Sequence, residues 1–66
     1  MKKVKKGMIV YAKHKTVDSW YVGKVFMIDR KFKSISLKHN NNSCNVFPVE
    51  YYNLYEITGE KNRVGL

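Results

Sequence analysis

The chain reads as one small all-β domain, a strongly bent barrel, on three observations. Two β-type runs, Gly7–Lys13 and Trp20–Asp29, are separated by the short polar loop His14–Ser19. The second run is long and carries Gly23 near its middle, the residue that marks a bend, a bulge or a close backbone approach inside a strand. The remaining apolar residues fall in short runs broken by Asn, Pro and charge, and none has helical spacing of useful length.

The elements follow in order. Residues 1–6, Met-Lys-Lys-Val-Lys-Lys, are too charged to pack alone and predict a flexible basic arm. Strand one places Met8, Val10 and Ala12 on one face and Ile9 and Tyr11 on the other. Strand two divides into Trp20, Val22, Phe26 and Ile28 against Tyr21, Val25 and Met27. Lys24 breaks the first set and Gly23 the second, as expected of a long bent strand that buries different faces along its length. Asp29-Arg30-Lys31-Phe32-Lys33 is a charged hairpin tip, with Asp29 placed to cap the turn. Strand three alternates cleanly, Ile35 and Leu37 inward, Ser34, Ser36 and Lys38 outward. His39–Ser43 predicts an Asn-rich turn, and strand four runs from Cys44 to Phe47, where Pro48 stops it. Val49–Asn53 predicts one 3₁₀ turn and Leu54–Thr58 a short closing strand. From Gly59 the chain reads as a frayed tail with Val64 and Leu66 able to dock. The barrel is thus expected over residues 7–58, between an arm at 1–6 and a tail at 59–66.

Size limits what such a domain does. A chain of 66 residues buries about 60% of its unfolded surface and retains about 3–5 kcal/mol of net stability. That leaves no room for a deep catalytic pocket of its own, so the expectation is a binding protein and not an enzyme, with no cofactor. Cys44 is the sole cysteine. It has no disulfide or zinc partner and reads as a small buried residue, and a domain without staples is expected inside a cell, in the cytoplasm. No apolar stretch approaches the roughly 20 residues of a membrane-spanning helix, and the N-terminal lysines precede no apolar signal segment.

Charge points to the partner. The net charge is +8, and it is uneven: residues 1–39 hold eleven Lys and Arg against Asp18 and Asp29, while residues 40–66 hold Lys61 and Arg63 against Glu50, Glu56 and Glu60. A one-sided basic surface is the footprint of a polyanion binder. The candidate nucleic-acid contacts are Lys2, Lys3, Lys5 and Lys6 in the arm, Lys13 and Lys15 at the first loop, Arg30, Lys31, Phe32 and Lys33 at the hairpin tip, and Lys24 and Lys38 on neighbouring strands. With eleven Lys and two Arg, bidentate base reading is poorly supplied and little sequence specificity is expected. Trp20, Tyr21, Phe32 and His39 are candidate stacking rings; the competing expectation is that Trp20 and Tyr21 help to fill the barrel. Tyr51, Tyr52 and Tyr55 read as an aromatic cluster that packs on the barrel end or forms a protein-contact patch. His14 and His39 read as solvated loop residues, with no metal site.

Five short strands, a long bent second one and a 3₁₀ turn before the last resemble an SH3-like barrel of the Tudor, KOW and chromo-barrel type over residues 6–58. The resemblance rests on Gly7-x-x-Val10-x-Ala12, on Trp20-Tyr21-x-Gly23-x-Val25-x-x-Ile28-Asp29 and on Val46-Phe47-Pro48 followed by Leu54. The Tudor branch implies an aromatic cage for methylated cations. Tyr21 matches one of its positions, whereas His14, Leu37 and Asn40 stand where other rings would be. The KOW branch implies RNA or DNA binding through basic loops, and the charge agrees with it. The type II dihydrofolate reductases, tetrameric barrels of similar length, are similar at the Trp-x-Gly-x-Val strand and at Phe47-Pro48-Val49. Cys44-Asn45-Val46-Phe47 departs from their pore motif, and Lys13 would match their substrate lysine.

The expectation is therefore a small basic module for nucleic acid, DNA before RNA and double-stranded before single. It is a monomer or homodimer that touches no membrane. Its Lys- and Asn-rich composition is compatible with an accessory protein of a bacteriophage or mobile element from an AT-rich genome. The alternative is an inhibitor or adaptor that contacts an acidic surface on a host protein.

Overall fold

The computed structural model describes residues 2–40, 43–57 and 61–66. Seven strands form: β1 (Lys2–Lys3), β2 (Ile9–His14), β3 (Trp20–Asp29), β4 (Ser34–Asn40), β5 (Ser43–Pro48), β6 (Tyr52–Ile57) and β7 (Lys61–Gly65). They make one sheet in the order β1-β7-β6-β2-β3-β4-β5, antiparallel except for the β1–β7 pair. The fold is all-β, as expected. Among the described residues the edge strands β1 and β5 do not pair with each other, so the sheet is open and seven-stranded where a five-stranded barrel is expected.

The two extra strands come from the termini. Lys2 and Lys3 pair in parallel with Val64 and Gly65, and the Val4 N–H donates to the Gly65 carbonyl at 2.8 Å. Val4 and Val64 are buried, and Lys2 Nζ lies 2.9 Å from Glu56 Oε1. The expected free arm and frayed tail therefore hold each other in the sheet. The arm's one apolar residue is what the core takes, and the lysine charge beside it is matched by a carboxylate from β6.

One core serves the whole sheet. Val10 and Ala12 of β2, Val25 of β3, Ile35 and Leu37 of β4, Phe47 of β5, Leu54 of β6 and Val64 of β7 form one buried cluster with Val4. A sheet that wraps one cluster with β2 to β7 is concave on that side and convex on the other. β3 achieves the curvature in two ways. Gly23 faces inward where a Cβ would lie 2.9 Å from Leu37 Cβ and 3.1 Å from the Lys38 carbonyl oxygen, which is the close approach its position in the strand implies. The bulge falls three residues later, between Val25 and Met27, and resets the pairing with β4.

The turns bear on function. Gly7, at φ 89°, lets the chain leave β1, and its N–H donates to the Val25 carbonyl at 2.8 Å. The hairpin turn at residues 30–33 is capped as expected, the Phe32 N–H donating to Asp29 Oδ1 at 3.0 Å. It closes on Lys33 at φ 52°, in the left-handed region. Relief of about 1–2 kcal/mol of left-handed strain, offset by about 0.5–1 kcal/mol of backbone entropy, predicts that Lys33→Gly raises stability by about 0.5 kcal/mol. A denaturant midpoint that moves down would contradict the left-handed turn. Between β5 and β6, residues 49–51 form a single turn closed by the Tyr51 N–H on the Pro48 carbonyl at 3.1 Å, in place of the expected 3₁₀ segment. The expected Asn-rich turn is cut short: His39 and Asn40 belong to β4 and Ser43 to β5, and residues 41–42 lie outside the described residues.

Candidate nucleic-acid interface

Strand alternation leaves one set of side chains on the convex face. β2 contributes Ile9, Tyr11 and Lys13, β3 contributes Trp20, Val22, Lys24 and Phe26, β4 contributes Lys38, and β6 contributes Asn53, Tyr55 and Ile57. Cross-strand registry sets Tyr11 beside Val22 and Tyr55, and Lys13 beside Trp20 and Asn53. Lys24 stands beside both Ile9 and Lys38. None of these positions is acidic.

The rings on this face touch in sequence. Tyr11 and Trp20 meet edge to face at 5.8 Å with planes at 87°, and Tyr11 and Tyr55 lie 5.2 Å apart. Trp20 is 58% exposed, which overturns the expectation that it fills a barrel: its position on the convex side places it away from the core. A shallow hollow of about 360 Å³ between Tyr11, Lys13, Trp20, Val22 and Ile57 marks this end of the face. At the other end Lys38 Nζ lies 5.7 Å from the Phe26 ring. Lys24 and Lys38 are directly opposite each other on paired strands. Like charges so placed destabilise a sheet.

The structure separates the remaining candidates. Lys2 is engaged by Glu56, and Lys3 lies at the sheet edge. Lys5 and Lys6 are exposed in the connection to β2. Lys15 follows β2, its N–H bound to the Tyr51 carbonyl at 2.9 Å. Arg30, Lys31, Phe32 and Lys33 occupy the far turn, where Phe32 is 72% exposed with Lys31 Nζ 5.6 Å from its ring. The first loop and the hairpin tip were expected to flank one basic face. They sit instead at opposite ends of the ten-residue β3, in a molecule whose longest dimension is 28 Å.

Tyr51, Tyr52 and Tyr55 do not form one patch. Tyr55 is on the convex face with Tyr11, whereas Tyr52 turns inward, 5.0 Å from both Phe47 and His14, and Tyr51 stacks on His14 at 6.3 Å. Tyr21 is at the same sheet end as Phe47, 5.3 Å from it. The histidines are structural and lie in strands. His14 Nδ1 accepts from the Thr16 and Val17 N–H groups at 3.2 Å. His39 Nδ1 donates to the Val22 carbonyl at 2.9 Å, which leaves Nε2 to accept from the Asn45 amide at 3.1 Å. Cys44, expected buried, is exposed beside Lys38 because its register turns it outward on the edge strand. Among the described residues no group of three His, Cys, Asp or Glu side chains is placed to hold a metal, and no helix is long and apolar enough to cross a membrane.

Sequence reasoning missed Tyr11, Phe26 and Arg63 as surface residues of interest, and it grouped Tyr55 with Tyr51 and Tyr52 instead of with Tyr11. Arg63 pairs across β7–β6 with Tyr55, and its Nη2 donates to Asn53 Oδ1 at 2.7 Å. The signal available was the second apolar face of β2: a domain this small has one core, so Ile9 and Tyr11 had to face outward once Val10 and Ala12 faced in.

Comparison of the chain with protein-family models, with curated proteins and with solved structures finds no match.

Proposed function

We propose that the protein is a small nucleic-acid-binding module, of the SH3-like barrel kind, that holds the phosphodiester backbone with little sequence preference and without a cofactor. The meander β2-β3-β4-β5, with β6 returning beside β2, supports the fold part of that reading. The observation that carries the functional part is the placement of Lys13 at one end and the Lys24–Lys38 pair at the other end of one convex face, whose other described positions bear no negative charge. Asp18, 4.0 Å from Lys13 Nζ, is almost fully exposed and neutralises little. Lysine ammoniums act as point charges on phosphate, and release of condensed counterions drives such binding. Phosphate contact by lysine is indifferent to the base sequence, which matches the low arginine content.

The test is a salt titration of affinity for DNA. Each phosphate contact contributes about −0.9 to the slope of log affinity on log salt for duplex and about −0.7 for single strands. Lys13, Lys24 and Lys38 therefore predict a slope of about −2 to −3. Lys24→Ala combined with Lys38→Ala is expected to bring it close to −1. No binding at about 50 mM salt, or a slope near zero, refutes the reading.

A further inference from the structure

We propose that the convex face binds single-stranded nucleic acid in preference to duplex, with bases stacking along Trp20, Tyr11 and Tyr55 while Lys13, Lys24 and Lys38 take the phosphates. The inference rests on the nucleic-acid reading and names the strand form that the same face accepts.

Three features select the single strand. First, Trp20 faces solvent, and Tyr11 and Tyr55 beside it are half-buried. Trp20 is more than half exposed, and its perpendicular packing against Tyr11 leaves the indole accessible. Bases inside a duplex are already stacked and cannot use such rings, whereas unpaired bases stack on them whatever their identity. Second, the spacing fits separated bases. Ring centroids step by 5.8 and 5.2 Å across β3, β2 and β6. The rise along one strand of duplex is about 3.4 Å, so bases that reach successive rings are unstacked from one another. Third, the face is convex, because β2 to β7 pack around one core on the other side. A rigid duplex is convex too and meets such a surface over a small area. A flexible strand follows the curve, from Lys13 beside Trp20 to the Lys24–Lys38 pair further along the face. Ile9, Val22 and Ile57, each just under two-fifths exposed, fill the intervals between rings and cations with apolar surface that suits the faces and edges of bases.

This reading moves the expected target from double-stranded to single-stranded nucleic acid. The competing occupant of an exposed apolar face is a second copy of the chain. Close approach of two copies through this face would bring their Lys24–Lys38 pairs together with no carboxylate between them, which disfavours it.

Trp20 is the chain's single tryptophan, so its fluorescence reports on this face alone. The full chain is titrated with a 12-nucleotide oligothymidylate and, separately, with a duplex of equal length at the same salt. The single strand is expected to quench Trp20 emission and to bind more tightly than the duplex. By anisotropy of a labelled oligothymidylate, Trp20→Ala is expected to lose about 5- to 150-fold in affinity, from about 1–3 kcal/mol per stacked base. Trp20→Phe retains most of the binding, and Lys31→Ala at the distant turn changes it by less than about twofold. A thermal melt of each variant confirms folding. Binding of both strand forms with unaltered Trp20 emission, and with Trp20→Ala as tight as the parent, overturns this inference and leaves the nucleic-acid reading standing. Absence of binding to either form at low salt removes both. A dimer in sedimentation that Trp20→Ala dissolves and oligothymidylate does not overturns the inference in favour of self-association.

Discussion

Deletion of residues 1–5 unfolds the protein. The deletion removes Val4, a core residue 1% exposed, together with the β1–β7 ladder and the Lys2–Glu56 ion pair. Full burial of a side chain such as Val contributes about 1.5–3 kcal/mol. Loss of β1 also uncovers Val64 and leaves Glu56, a buried carboxylate on β6, without its lysine. A net stability of about 3–5 kcal/mol does not survive the sum. The expected result is collapse of amide dispersion in the NMR spectrum and loss of the cooperative melt. The single substitutions grade the effect. Val4→Ala costs about 2 kcal/mol, two buried methylene equivalents and the space they leave. Lys2→Ala costs about 0–1 kcal/mol, because the lysine end of the pair is more than half exposed. A truncated chain that melts at the parent temperature would show that the first residues are the free arm their charge implies.

Gly23→Ala is expected to destabilise by about 1–3 kcal/mol, the usual range for overpacking, which at about 4–8 °C per kcal/mol is a drop in melting temperature of several degrees or more. The sign is the informative part. In an open strand Ala is favoured over Gly by about 0.5–1 kcal/mol, so a site with room would be stabilised. Here the added Cβ lies 2.9 Å from Leu37 Cβ and 3.1 Å from the Lys38 carbonyl oxygen, and the second of these is backbone that cannot swing aside. To admit the methyl, β3 and β4 must part at the point where Lys24 and Lys38 are paired. The substitution therefore also disturbs the spacing of two proposed phosphate contacts, and DNA affinity is expected to fall with stability. A melt that rises on Gly23→Ala would mean that the strands do not cross as closely as described.

The interior strands were legible because their information is local. β3 matches its expected bounds at both ends, Trp20 to Asp29, and β4 shows the expected inward Ile35 and Leu37, although Ser36 between them, expected outward, is buried too. Asp29 caps its turn and Phe32 is exposed, since neighbours a few residues away determine both. Strand periodicity, Gly and Pro placement and turn chemistry are properties of adjacent residues, and they suffice for an all-β chain with a long bent strand.

The order of the strands in the sheet and the composition of the convex face depend on partners far apart in the chain. Val4 joins the core because Gly65 accepts its N–H, a pairing between the two ends that no local pattern announces. Tyr11, Trp20 and Tyr55 become one row because registry brings β2, β3 and β6 side by side. The same registry joins Lys24 to Lys38 and sends the hairpin-tip cations to the opposite end of β3. Residue types along the chain specify how many rings and charges are available. Which of them share a surface follows from which strands pair, and that is set by the free energy of burying a single core common to β2 to β7.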